Sequence, residues 1–244
     1  MNLTNLVTDG YERKARLYPA LLLVAPLVAA GVAMVSGKLF GVQSLAAAIV
    51  GCGGAFLLTQ LARDSGKNRE KALFAKWGGL PSVAIFRHRD TCLDSITKAR
   101  YHKKLDVLVK EAKPPTIEQE QSDPGAADAV YSAWSNFLRV NTRDTKKYAL
   151  LFQENVNYGY RRNVWGLKPI GIVVCSLSAA VCGARLWQIR QTTGRLDEGL
   201  VAAGIFAFVL LLLWVFRFTP RWVRVPADAY AQRLVECSET LFRK

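Results

Sequence analysis

Four long apolar stretches constrain this chain more than anything else in it: roughly Tyr18 to Ser36, Leu39 to Ala62, Leu167 to Ile189 and Gly199 to Phe218. Each is close to the about 20 apolar residues that cross about 30 Å of hydrocarbon. Inside a bilayer only helices and closed barrels satisfy their own backbone, so stretches of this length predict four membrane helices. Gly37-Lys38 alone separates the first two, and a short turn separates the last two, which pairs them as two hairpins. A removable leader is the rival reading of the first stretch, because Arg13, Lys14 and Arg16 precede it. The run is long for the apolar part of a leader, contains Pro26 and meets a second span at once, so the hairpin is the better reading.

Lysine and arginine near the span ends set the orientation. Of the 33 such residues, three precede the first span, 20 lie from Arg63 to Lys168 and six from Arg217 to Lys244; the two turns hold one and three. That bias places both termini and the middle segment in the cytoplasm. The middle segment sets 12 acids against its 20 bases, an excess facing the side where anionic lipid and nucleic acid are found. The expected fold is therefore an all-α membrane protein. It has a cytoplasmic segment 1–17, a hairpin 18–62, a basic helical domain 63–166, a second hairpin 167–218 and a cytoplasmic tail 219–244.

None of the spans holds an acid or base at mid-bilayer, which argues against proton relays, voltage sensors and ion-coupled carriers. Neutral residues such as Gln43, Thr59, Gln60, Ser176 and Ser178 leave a pore assembled from several copies open. Gly51, Gly53 and Gly54 around Cys52 allow another helix to approach closely. The five cysteines fall in spans (Cys52, Cys175, Cys182) or on the reducing side (Cys92, Cys237), so free thiols are expected.

Between the hairpins the second span runs on as helix to Lys76, and Gly78-Gly79-Leu80-Pro81 breaks it. Ser82 to Phe86 suits a strand or a buried extended link. Thr91, with Asp94 three residues on, opens a helix whose apolar stripe is Leu93, Ile96, Leu105 and Leu108. Lys113 to Thr116 ends it, and Glu118 to Asp123 reads as an acidic loop. Asp123-Pro124 starts another helix with Val130, Trp134, Phe137 and Leu138 as core. From Asp144 a further helix carries Tyr148, Leu151, Phe152 and Val156 into the third span. In the tail, Pro226 to Lys244 reads as a short amphipathic helix using Tyr230, Leu234, Cys237 and Leu241, after an interfacial anchor of Arg217, Phe218, Arg221, Trp222 and Arg224.

Three basic-aromatic clusters are the candidate ligand-binding residues: Arg87, His88 and Arg89; Lys98, Arg100, Tyr101, His102, Lys103 and Lys104; and Tyr160, Arg161 and Arg162, with Tyr158 beside them. Cations donate to phosphate and rings stack on bases, a mixture suited to a nucleotide signal or a short single-stranded oligonucleotide. The same residues also serve as positive-inside determinants and contacts to anionic lipid headgroups. Cys92 lies one helical turn after His88 but lacks an orienting third group, so it reads as structural. Glu118, Glu120, Asp123 and Asp128 are explained by solvation and capping. No phosphate-binding loop is present, since Gly66-Lys67 stands alone. No catalytic residue, metal ligand or cofactor is assigned, and an enzyme is not expected.

Gly78 to His102 (GGLPSVAIFRHRDTCLDSITKARYH) and Gln153 to Asn163 (QENVNYGYRRN), with the two-plus-two topology, resemble membrane effectors of bacterial antiphage systems, most nearly the channel-like effector of the Hailong system. The resemblance implies a homo-oligomer, specifically a tetramer. A short deoxyadenosine oligomer made by a partner nucleotidyltransferase would hold it closed, and infection would open it by removing that ligand. The membrane subunit of the Kiwa system is also similar. That likeness implies a non-conducting sensor or scaffold that recruits a cytoplasmic DNA-binding partner.

Overall fold

The computed structural model describes residues 10–34 and 54–242, and among these every regular element is helical. Helix α1, Glu12–Met34, begins with a π-helical stretch, Glu12–Leu17, and carries Pro26 in its interior. It is followed by α2 (Gly54–Trp77), α3 (Pro81–Ala84), α4 (Ser95–Leu108), α5 (Ile117–Ser122) and α6 (Pro124–Asn141). Then come α7 (Ala149–Thr193), α8 (Glu198–Arg217, its end π-helical from Leu213) and α9 (Pro220–Glu236), which closes in a 3₁₀ turn, Cys237–Thr240. Helices α1, α7 and α8 are long and apolar enough to cross a membrane. Most of the expected second span, with its Gly37-Lys38 turn, Gln43 and Cys52, lies outside the described residues; the described remainder opens α2.

The chain divides into two compact units. The first, Met1–Glu70 with Gly159–Val223, holds α1, α8 and the apolar length of α7. Its interior is small-residue packing, Ala20, Ala62 and Cys175 around Trp214 in one cluster and Ala30, Ala33, Cys182 and Ala203 in another. Small side chains let membrane helices approach, where burial alone supplies no driving force. An alanine methyl at Gly166 would come 2.5 Å from the backbone of Ser65 and Gly66. The outward face is apolar too: Leu27, Val28, Val173, Leu177, Ile205 and Phe208 are all exposed, as a lipid-facing surface requires.

The second unit, Lys71–Tyr158 with Arg224–Lys244, has one aromatic-rich core. Phe86, Tyr131, Trp134, Leu105 and Leu138 are fully buried there, joined by Ala231, Leu234 and Val235 of α9, so the tail packs onto this unit.

Several local expectations give way to the structure. Ser82 to Phe86 is neither strand nor extended link. Leu80 is extended and Pro81 takes the first helical position, where its fixed φ and missing N–H suit a helix start, and Ser82 is buried with its hydroxyl 2.9 Å from Ser135 Oγ. Asp94, not Thr91, caps α4, accepting from the Thr97 N–H at 2.8 Å. The later start turns Ile96 outward (82% exposed) and buries Lys98, Tyr101, His102 and Leu105. Glu118 to Asp123 is no loop: Thr116 and Gln119 form a capping box that starts α5. The tail helix begins at Pro220 and takes Pro226 into its interior. The start of α6 at Asp123-Pro124 and the stop at Gly78-Gly79 (φ +77° and +133°) stand as expected, whereas the helix expected from Asp144 begins at Ala149, after a turn in which the Tyr148 N–H donates to the Asp144 carbonyl.

Candidate functional site

The first two basic clusters meet around one loop, residues 86–90, in the second unit. The left-handed glycines Gly78 and Gly79 turn the chain after α2, and the Arg87 guanidinium occupies the space a side chain at Gly79 would need, 2.7 Å from the position of its Cβ. Arg87 donates from Nε and Nη2 to the two Asp128 oxygens at 2.8 and 2.7 Å, and from Nη1 to the Gly78 carbonyl at 2.7 Å. The paired carboxylate raises its already high pKa. Lys98 reaches from α4 to the carbonyls of Arg87 (2.7 Å), His88 (3.4 Å) and Asp90. Burial of that ammonium pushes its pKa down, and Asp90 and Glu120 oppose the shift.

Glu120 fixes the loop from the α5 side. Its Oε2 accepts the His88 N–H at 2.8 Å and the Tyr131 hydroxyl at 2.7 Å. Burial works to raise its pKa, but these donors and the Arg89 backbone outweigh it and hold the carboxylate below its usual range. Tyr131 is pushed far up by burial and by that carboxylate. Both imidazoles are similarly committed. His88 Nε2 is 2.9 Å from the Pro115 carbonyl and His102 Nε2 is 2.8 Å from the Phe86 carbonyl. A carbonyl only accepts, so each Nε2 carries a proton. The rings lie 5.0 Å apart, and His102 also packs on Trp134 at 5.1 Å. Desolvation lowers the His102 pKa, so it stays neutral at physiological pH.

Beside this loop opens a cleft of about 320 Å³ whose lining includes His88, Asp90, Ser95, Lys98, His102 and Ile117. Arg89 and Lys103 are exposed; Arg89 is flanked in sequence by two lining residues, and Lys103 stands one helical turn from a third, Ala99. Arg100 pairs with Glu239 at 2.9 Å on the surface, Tyr101 is core, and the Lys104 ammonium sits 5.1 Å over the Phe242 ring. The third cluster belongs to the other unit. Tyr160 stands edge-on to Trp222, Arg161 donates to the Trp222 carbonyl at 3.0 Å, and Arg162 is buried against Glu70 at 2.9 Å. Of the twelve candidates, then, Arg87, Lys98, His102 and Arg162 spend their polar groups inside the protein.

Glu120 and Asp128 are not merely solvated or capping acids, as expected from sequence; they are partners of the loop. Tyr131 was missed as well. The signal was there in the spacing, since Asp128 precedes Tyr131 by one turn on the face that buries Ala127, Trp134 and Leu138. Cys92 is exposed, and partial burial together with the Asp90 charge raises its pKa, so at neutral pH it is a thiol rather than a nucleophilic thiolate. No protein-family model, curated protein or solved structure matches the chain.

Proposed function

We propose that this chain is an oligomeric, channel-like membrane effector of bacterial antiphage defence, controlled by a nucleotide or short single-stranded oligonucleotide bound at the cleft beside residues 86–90. The observation that carries the reading is convergence: one sequence cluster in the loop and one on α4 bring His88, Lys98 and His102 to one cleft, with Arg89 and Lys103 close by on the surface. The neutral His102 imidazole, its Nε2 donating to Phe86 and its Nδ1 left as an acceptor, suits an amino group of a nucleobase, and the exposed cations suit its phosphates. The three apolar helices supply the membrane part. A ligand biases a gate only by binding one state better than the other, about 1.4 kcal/mol for each tenfold preference. The reading also rests on the likeness of Gly78 to His102 and Gln153 to Asn163 to such effectors, from which a tetramer, a partner nucleotidyltransferase and an inner-membrane location follow as part of the same proposal.

Fluorescence anisotropy of a labelled deoxyadenosine hexamer with the purified full-length protein tests it. Arg89→Gln and Lys103→Gln each weaken binding and lower the salt slope by about one. Affinity and slope unchanged in both variants refute the site. A second reading, a non-conducting scaffold that recruits a cytoplasmic DNA-binding partner, draws on the internal commitment of Arg87, Lys98 and Arg162. It predicts no hexamer binding at all.

A further inference from the structure

In the first unit, Trp222 is a meeting point for two guanidinium groups. The Arg161 Cζ lies 5.1 Å from its ring centroid and the Arg217 Cζ 5.6 Å. Like charges drawn to one ring repel each other, and the ring's negative face answers only part of that repulsion. Arg217 and Arg221 are exposed and, among the described residues, neither forms an ion pair with a carboxylate. Lys168 adds a third cation close by, its Nζ donating to the carbonyls of Val215 (2.8 Å) and Phe218 (3.2 Å) at the end of α8. The exposed guanidinium groups of Arg217 and Arg221 are thus left without a carboxylate partner among the described residues.

Their surroundings say what supplies the negative charge. The membrane-length apolar helix α8 ends at Arg217, and Trp222 packs with Tyr160 and Phe218, the aromatic composition of a membrane–water boundary. Immediately before Arg217 the chain exposes Leu212, Leu213, Val215 and Phe216, the last at 73%. A phosphate group beside bare hydrocarbon-facing side chains is the chemistry of a phospholipid. The planar guanidinium fork matches a phosphodiester through two parallel hydrogen bonds, which a point charge cannot do.

We infer that Arg161, Arg217 and Trp222, with Arg221 at the edge, form a binding site for one anionic phospholipid, whose phosphodiester bridges the two guanidinium groups while an acyl chain lies along Phe216. This goes beyond the proposed control by oligonucleotide and does not depend on it.

Energy transfer from the protein's tryptophans to dansyl-phosphatidylglycerol, measured on the full chain in phosphatidylcholine nanodiscs, tests the inference. The wild type shows saturable transfer that unlabelled phosphatidylglycerol displaces and phosphatidylcholine does not. Arg217→Gln weakens the affinity at least about threefold, since it removes a charge-assisted pair, and Arg217→Lys, keeping charge but not the fork, falls between. Arg185→Gln, at the other end of α7, matches the wild type. Displacement by soluble glycerol phosphate as effective as by the lipid overturns the assignment to a phospholipid. Equal affinity in wild type and Arg217→Gln, or no preference over phosphatidylcholine in the wild type, overturns the site.

Discussion

Glu120→Ala is the sharpest test of how the loop 86–90 is held. The carboxylate is 5% exposed and its Oε2 receives two hydrogen bonds, from the His88 N–H at 2.8 Å and the Tyr131 hydroxyl at 2.7 Å. Hydrogen bonds to charged groups contribute about 1.5–3 kcal/mol each, and truncation leaves both donors buried without a partner. A loss of about 3–5 kcal/mol is expected, near the top of what single substitutions cause. For a chain of this size about 2–4 °C of Tm accompanies each kcal/mol, so the melting temperature falls by about 6–20 °C in detergent, read by tryptophan fluorescence. Glu120→Gln retains an oxygen that accepts from both donors and loses less than half as much.

The same pair carries a pH signature. The folded carboxylate titrates below its unfolded value of 4.5, so its stabilising contribution is present above that pH and is lost as the pH falls through the folded value. The glutamine variant lacks this contribution to acid sensitivity. Glu120→Ala melting within 2 °C of the wild type, or the two variants melting together, refutes the reasoning.

Three further outcomes follow from other parts of the fold. His102 has its pKa lowered by burial, so the unfolded chain takes up a proton below about pH 6.5 that the folded one refuses; stability falls between pH 7 and 5.5, and His102→Gln, whose amide can still reach the Phe86 carbonyl, shows a shallower fall in thermal melts. Gly79→Ala combines a left-handed φ with displacement of Arg87 and costs about 1–3 kcal/mol; the cost shrinks in an Arg87→Met background, as a double-mutant cycle in denaturant will show. Gly166→Ala drives a methyl into the α2 backbone and costs about 1–3 kcal/mol of overpacking, measured as a shortened half-life of the folded protein in detergent.

Composition and run length revealed three helices long and apolar enough to cross a membrane, because lipid would impose a one-variable rule on every residue of a span. Helix starts with strong local chemistry were legible for the same reason, as Asp123-Pro124 shows. Apolar core positions of the second unit such as Leu105, Trp134, Leu138 and Leu234 were legible too; what stayed hidden was the polar part of that interior. On α4 the buried positions are Lys98, Tyr101, His102 and Leu105, a clean i, i+3, i+4, i+7 stripe that carries a lysine and a histidine. Polarity assigned those residues to a solvent face; long-range hydrogen bonds to the carbonyls of residues 86–90 put them inside, and no local pattern announces such partners. The candidate site shares that history. Its cations looked like a free basic surface, yet Arg87, Lys98 and His102 hold the loop together, which leaves Arg89 and Lys103 as the exposed charges to question first.

The most direct measurement is conductance of the purified, reconstituted protein in planar bilayers, with and without the deoxyadenosine hexamer on the side bearing the helical unit. The account predicts discrete currents that the hexamer suppresses or evokes, and that Arg89→Gln uncouples from it. Silent bilayers containing verified, correctly oriented oligomers would contradict the channel reading and leave the scaffold in its place.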